Sequence, residues 1–329
     1  MAKPTRYSQE TIDEYVKKKL WKSETLSVIF DRNAKEHPQE VAVEDSKSRV
    51  TWLEAKQWID RVVFGFIEAG IKRDEVLVIQ LPNSVELYLL RVAAEKAGIL
   101  CLPVLRTMRH REMEYILKRT NATGIVMPRK IGDFDYFDMI ESLRPRLPSL
   151  EYVFIVGDET PQGAISLKEI SQKVLENKYP YSLIEESRFK VTEVSLINLT
   201  TGTTGFPKFV EYPICARLAG AVSLVEGFRL TSKDVIGALG PAAGGPNNPV
   251  YYAAPLVPCK VAMLEKFSPE EAFKMIEKTK ITIPCVVPAQ LALMVQHPAL
   301  KNYDLSSVRA WFSCGAPLAY SLGVEAEEK

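Results

Sequence analysis

"LTTGTTGFPKF", residues 199–209, places four threonines, two glycines, a proline and a lysine within one short stretch. Gly202 and Gly205 allow positive φ, which lets successive N–H groups converge on an anion. Thr200, Thr201, Thr203 and Thr204 add hydroxyl donors. Lys208 stands behind the stiff Pro207 as a point charge. The stretch reads as a phosphate-binding loop, but not the kinase type, whose pattern G-x-x-x-x-G-K-[ST] joins a strand to a helix. Here Lys208 follows a proline, which has no N–H to give, and "KFVEY" (208–212) continues as a strand. Without phosphate chemistry, the same residues make a Thr/Gly/Pro hairpin turn with a solvated lysine.

Outward from the loop the pattern alternates. "VSLINL" (194–199) is a strand before it, a helix spans about 214–228 after it, and "DVIGAL" (234–239) is the next strand. Ser268 followed by Pro269, Glu270 and Glu271 starts a helix, and "ITIPCVVP" (281–288) and "VRAWFSCG" (308–315) are strands. Upstream, Thr51 with Glu54 forms a capping-box pattern ahead of Ile59, Val62, Val63, Phe66 and Ile67, and Gly70 stops that helix. "EVLVIQLP" (75–82), "ILCLPVL" (99–105), "TGIVMP" (123–128) and "YVFIVG" (152–157) are buried strands, and Asn83 with Glu86 starts a helix between the first two. Strands and helices at this interval predict an α/β fold with parallel βαβ units. The polar segment 158–190 reads as a connector. The predicted organisation is a first α/β subdomain over about 1–190 and a second over 191–329, the second carrying the loop.

Composition excludes several classes. With 42 Lys+Arg against 41 Asp+Glu the net charge is +1, so no nucleic-acid partner is expected. The five cysteines, widely spaced and without CxxC or histidine partners, predict reduced thiols in a cytoplasmic protein and no protein metal site. Residues 235–259 hold no charged side chain, yet five prolines interrupt them. A spanning helix could not satisfy its backbone through those breaks, so no membrane span is expected. The run reads as a strand followed by a pocket-lining loop.

"LTTGTTGFPK" resembles the phosphate-loop signature of the adenylate-forming (AMP-binding) enzymes, which include acyl- and aryl-CoA synthetases. "RVTWLEA" (49–55), "VLVIQLPNSVELYLLRVAAEKAGILCLPV" (76–104), "ITIPCVVPAQLALMV" (281–295) and "YDLSSVRAWFSCGAPL" (303–318) match the family's layout. "YVKKKLWKSETL" (15–26), "FDYFDMIESLRPRLPSLEYVFIVG" (134–157) and the bulky Phe209 are most similar to the 2,3-dihydroxybenzoate–AMP ligase branch.

The resemblance implies an N-terminal adenylation domain. Its two packed α/β subdomains form an αβαβα arrangement, with room for a small β-barrel-like part and a site in the groove between them. It implies ATP with Mg²⁺, a carboxylic acid activated to an acyl-adenylate with release of pyrophosphate, and transfer to CoA or a pantetheinyl carrier protein. By the match, Thr200, Thr201, Gly202, Thr203, Thr204, Gly205 and Lys208 hold the phosphates, and Thr200 and Lys208 are the catalytic candidates. Gly315, Ala316 and Pro317 lie along the adenine. Ala243, Gly244, Gly245, Asn247, Asn248 and Cys314 line the acyl side. The aryl branch has a His-Asn pair where this chain aligns Ala243 and Gly244, which puts 2,3-dihydroxybenzoate itself in question. Asn247 or Asn248 would substitute if the register shifts.

The helix that begins near Leu318 reads as unfinished. The family's Tyr-Gly-x-Thr-Glu segment, ribose-binding aspartate, hinge and catalytic lysine would lie beyond position 329, together with the rest of the large domain and the small lid domain. On that expectation the chain alone adenylates poorly and its Mg²⁺ site is incomplete. The rival readings are a medium- or long-chain fatty acyl-CoA synthetase and a nucleotide-binding relative without catalysis.

Overall fold

The computed structural model describes residues 7–200 and 205–328. In chain order the strands are β1 (Val41–Glu44), β2 (Arg49–Thr51), β3 (Val76–Ile79), β4 (Leu100–Pro103), β5 (Gly124–Pro128), β6 (Lys130–Ile131), β7 (Phe134–Asp135) and β8 (Tyr152–Val156). They continue with β9 (Ile165–Ser166), β10 (Val194–Leu199), β11 (Phe209–Pro213), β12 (Val235–Ala238), β13 (Lys260–Met263), β14 (Ile283–Val286) and β15 (Phe312–Ser313).

Two main sheets result. One has the order β11-β10-β4-β3-β5-β8-β9 and is parallel except for its edge strand β11. The other has the order β15-β14-β12-β13-β1-β2 and is parallel except for its edge strand β2. Both are open sheets, so the expected small β-barrel-like part is not found among the described residues. The β-branched runs behave as parallel strands should: every residue of β3, β12 and β14 is buried.

The chain folds into two compact units that interleave, where the sequence reading drew consecutive halves. The first comprises residues 1–28, 56–81 and 89–219 and holds the seven-stranded sheet. The second comprises 29–55, 82–88 and 220–329 and holds the six-stranded sheet. Unit boundaries fall inside the helices Leu26–Glu36, Trp52–Ala69, Val85–Lys96 and Ile214–Phe228. Segment 158–190 belongs to the first unit rather than connecting the two. It adds β9 beside β8 and buries Leu167, Ile170, Ile184 and Phe189.

Local signals explain several boundaries. Glu54 N–H donates to Thr51 Oγ1 at 3.3 Å while Thr51 N–H donates to Glu54 Oε2 at 2.8 Å, a reciprocal capping box. Gly70 ends that helix at φ +93°, a conformation that costs glycine little. Ser268 Oγ accepts from Glu271 N–H at 3.3 Å and caps the helix Pro269–Thr279. That helix buries Phe273 and Ile276 against Val286 and Leu291. Burying the phenyl ring alone is worth about 2–3 kcal/mol.

Two local readings need correction. The strand read over 308–315 is only Phe312–Ser313. Asn83 does not cap the helix Val85–Lys96: Ser84 Oγ accepts from Leu87 N–H at 3.3 Å, and the carboxamide of Asn83 is used elsewhere. Among the described residues no helix is long and apolar enough to cross a membrane. The uncharged run 235–259 folds as β12 followed by short turns of helix, one of them a π-helix over Pro249–Ala253.

Candidate functional site

The threonine–glycine loop joins β10 to β11 as an antiparallel hairpin at the edge of the seven-stranded sheet, with Leu199 opposite Phe209. Thr200 closes its base twice. Its N–H donates to Lys208 O at 2.9 Å, and its Oγ1 accepts from Lys208 N–H at 3.1 Å. The hydroxyl proton of Thr200 stays available for a second acceptor. Gly205 has φ +139°, a region that disfavours side chains, and nothing crowds its α-carbon. Lys208 is exposed. Thr201, Gly202, Thr203 and Thr204 lie outside the described residues.

A stack of side chains supports the loop's second half. Phe206, 43% exposed, lies 4.2 Å from the Tyr115 ring at 16°, with the Arg111 guanidinium 5.0 Å from its centroid. Tyr115 Oη donates to Pro207 O at 3.5 Å, and Phe209 packs on the same tyrosine at 5.8 Å. Phe209, singled out from sequence for its bulk, thus has a packing role.

The other predicted residues gather in the second unit. In its sheet, β12 leads to β13 on one side, and the chain then crosses back to place β14 on the other. Crevices at the C-terminal ends of such diverging strands are the usual ligand sites of open α/β sheets. Three segments emerge there: 239–249 after β12, 287–288 after β14 and 314–317 after β15. Gln290 ties the first two together, donating from Nε2 to Leu239 O at 2.9 Å. A Cβ built on Gly245 would stand 3.8 Å from Cys314 Sγ and 4.0 Å from Asn248 Nδ2. One on Gly315, at φ +95°, would stand 3.6 Å from Val287 Cγ1 and 3.9 Å from Pro246 Cγ. Gly245, Asn248 and Cys314 are therefore neighbours. Gly244 and Ala243 are half-buried in the same loop, and Ala316 and Pro317 are exposed beyond Gly315.

Asn247 is fully buried, and the NH2 of its amide is already committed, while Oδ1 accepts no bond. Nδ2 donates to Asn83 Oδ1 at 3.0 Å and to the carbonyls of Gly240 and Pro241 at 3.3 and 3.2 Å. Asn83 Nδ2 donates in turn to Gly240 O at 2.8 Å, Ala238 O at 3.1 Å and Leu264 O at 3.2 Å. Sequence reasoning missed Asn83, because its partners lie far along the chain and its local context suggests a helix start. Tyr251 Oη adds a bond to Ala242 O at 2.8 Å. Burial pushes the half-buried Cys314 thiol up from its usual value, and pushes that of Cys285 well above it. Among the described residues no group of three or more His, Cys, Asp or Glu side chains could hold a metal ion.

The profile of the AMP-binding enzyme family matches residues 30–329, and the chain belongs to that family. The chain is 23% identical to the 2,3-dihydroxybenzoate-AMP ligase of Bacillus subtilis, over 93% of itself and 55% of that protein. It is 25% identical to the mitochondrial medium-chain acyl-CoA ligase ACSF2 of Danio rerio, over 82% of itself and 47% of that protein. The chain thus spans about half the length of the curated relatives it matches. In fold it is similar to the apo structure of MbtA from Mycobacterium smegmatis, with a TM-score of 0.85 and 24% identity over 98% of this chain and 58% of that one.

Proposed function

We propose that the protein carrying this chain activates a carboxylic acid with ATP, releasing pyrophosphate and forming an acyl-adenylate that a thiol then attacks. The observation that carries this reading is the Thr200–Lys208 hairpin, standing on a sheet edge in a chain of the AMP-binding enzyme family. In this reading Thr200 and Lys208 act on the β- and γ-phosphates together with Thr201–Gly205. The carboxylate oxygen attacks the α-phosphorus, and the bond to the bridging oxygen breaks. The charge that moves onto pyrophosphate meets the Lys208 ammonium and the loop's hydroxyl and N–H donors. Catalysis is then positioning and electrostatics without a protein nucleophile.

Gly315, Ala316 and Pro317 lie along the adenine in this assignment. Ala243, Gly244, Gly245, Asn248 and Cys314 form the acyl side. Mg²⁺ would arrive with ATP. The acceptor is CoA or a pantetheinyl carrier, and free thiols suit a cytosolic setting.

An aryl acid is the leading substrate class, in line with the 2,3-dihydroxybenzoate-AMP ligase relative. One observation favours a second reading, a medium-chain fatty acid. The Asn247 Nδ2 is spent on Asn83 and two carbonyls and has no proton left for a ring hydroxyl, and its unpartnered Oδ1 is buried with the rest of the side chain. A carboxylate panel in ATP–pyrophosphate exchange tests both readings. Salicylate-type acids are expected to support exchange at least tenfold better than octanoate. The reverse order replaces the aryl reading with the acyl one, and exchange with neither acid refutes the assignment.

A further inference from the structure

We propose that Tyr115 is a positioning residue for Lys208: its ring holds the chain on both sides of the lysine and so sets the point from which the ammonium reaches the phosphates. This rests on the assignment of the Thr200–Lys208 hairpin to ATP.

Lys208 has little else to place it. Its side chain is exposed and is paired with no acid among the described residues. A lysine stem is flexible, so the ammonium starts from wherever the backbone is held. On one side the sheet does the holding. Strand β11 lies at the sheet edge with β10 as its neighbour, and Thr200 bonds the main chain of Lys208 in both directions. The strand pairing ends at Leu199 and Phe209, and residues 205–207 lie beyond it.

Tyr115 supplies the second hold. Its ring stacks on Phe206 at 4.2 Å and meets Phe209 at 5.8 Å, so one side chain touches the residues that flank Pro207 and Lys208. Its hydroxyl adds a long bond to Pro207 O, between the two rings. The fixed φ of Pro207 passes the grip on Phe206 to Lys208 with little slack. Phe206 is exposed, so what its ring provides is this stack rather than a place in a core. The support is itself anchored. Tyr115 stands on the helix His110–Thr120, which buries Met113, Ile116 and Leu117. Arg111, one turn earlier on the same face, sets its guanidinium 5.0 Å from the Phe206 centroid.

The test separates position from stability in the protein carrying this chain. In Tyr115→Leu, kcat for carboxylate-dependent ATP–pyrophosphate exchange is expected to fall about tenfold or more, with KM for the acid within about twofold and unfolding still one cooperative transition. Tyr115→Phe keeps the ring and should recover at least about half of the wild-type rate, since the stack rather than the long bond does the holding. Phe206→Ala removes the other half of the stack from an exposed position and is the second variant should Tyr115→Leu fail to fold. It should slow exchange alike, and combining the two should cost no more than either alone. Trypsin cleavage after Lys208, followed by mass spectrometry, reads the hold without reference to activity. It is expected to speed up about tenfold in both variants, while cleavage after the exposed Lys301 keeps its rate. A wild-type kcat in both variants, a Tyr115→Phe as slow as Tyr115→Leu, or an unchanged cleavage rate at Lys208 overturns the proposal. Absence of exchange in the wild-type protein removes the functional assignment and leaves the cleavage rates to judge the hold.

Discussion

In the unit built on the seven-stranded sheet, the buried polar side chains include the ionisable Asp60, Arg91, Glu95 and Lys96. Lys96 Nζ lies 2.5 Å from Asp60 Oδ1, which Lys56 also contacts, and Glu95 accepts from Ser27 N–H at 2.8 Å. None of these residues belongs to the phosphate-type loop. In the unit built on the six-stranded sheet, Asn83 and Asn247 are buried amides that bond directly to the candidate site's loop. The first unit carries its candidate chemistry on an edge hairpin to which none of these ionisable residues belongs. The second also buries Asp234, which Arg309 meets at 2.7 Å, but it spends the amides of Asn83 and Asn247 on the candidate site itself. Buried ion pairs add little net stability but are costly to break, whereas buried amides that cross-link a loop fix its shape.

The largest effect should come from breaking the first unit's pair. Lys96→Ala leaves Asp60 buried with only the partly exposed Lys56, and should cost about 3–4 kcal/mol in urea unfolding without altering iodoacetamide labelling of Cys314. A loss under 1 kcal/mol would mean that the pair is not sealed from water.

A somewhat smaller effect is pH-dependent. Burial, opposed by hydrogen bonds from Ser27 and the charge of Arg188, raises the Glu95 carboxyl from 4.5 to about 7. The folded state therefore holds a proton that the unfolded state has released. The stability this group contributes is full below pH 4.5 and is lost as pH rises through 7, amounting to about 3 kcal/mol at most. Glu95→Gln should flatten the fall in stability between pH 5 and 8, and an unchanged slope would show that Glu95 ionises freely.

The smallest effect separates stability from site order within the second unit. Ser268→Ala removes a helix cap and should cost about 1 kcal/mol in chemical denaturation, with Cys314 labelling unaltered. Faster labelling in this variant would mean that the loop follows global stability rather than its bonds to the Asn83 and Asn247 amides.

What could be read from sequence follows the range of the forces involved. The capping box at Thr51 and Glu54, the cap at Ser268, strand β10 and the helix Ile214–Phe228 are decided by near neighbours, and the structure has them where the pattern puts them. The rejection of the kinase-type loop also needed only local reading, since the loop joins two strands. Asn83 was illegible because its bonds reach residues 155 and more positions away. The interleaving of the units was illegible for the same reason: β1 pairs with β13 across most of the chain. Segment 158–190 misled through its polar composition, which hid the spaced apolar residues Leu167, Ile170 and Ile184 that anchor it.

The proposed role of the Thr200–Lys208 hairpin is to handle the phosphates of ATP during acid activation. Carboxylate-dependent ATP–pyrophosphate exchange, compared between the wild-type protein and Lys208→Ala, measures this most directly. Lys208 is exposed, so the variant should fold as the wild type does while its exchange rate falls about a hundredfold. Exchange at the wild-type rate in the folded variant would contradict the claim.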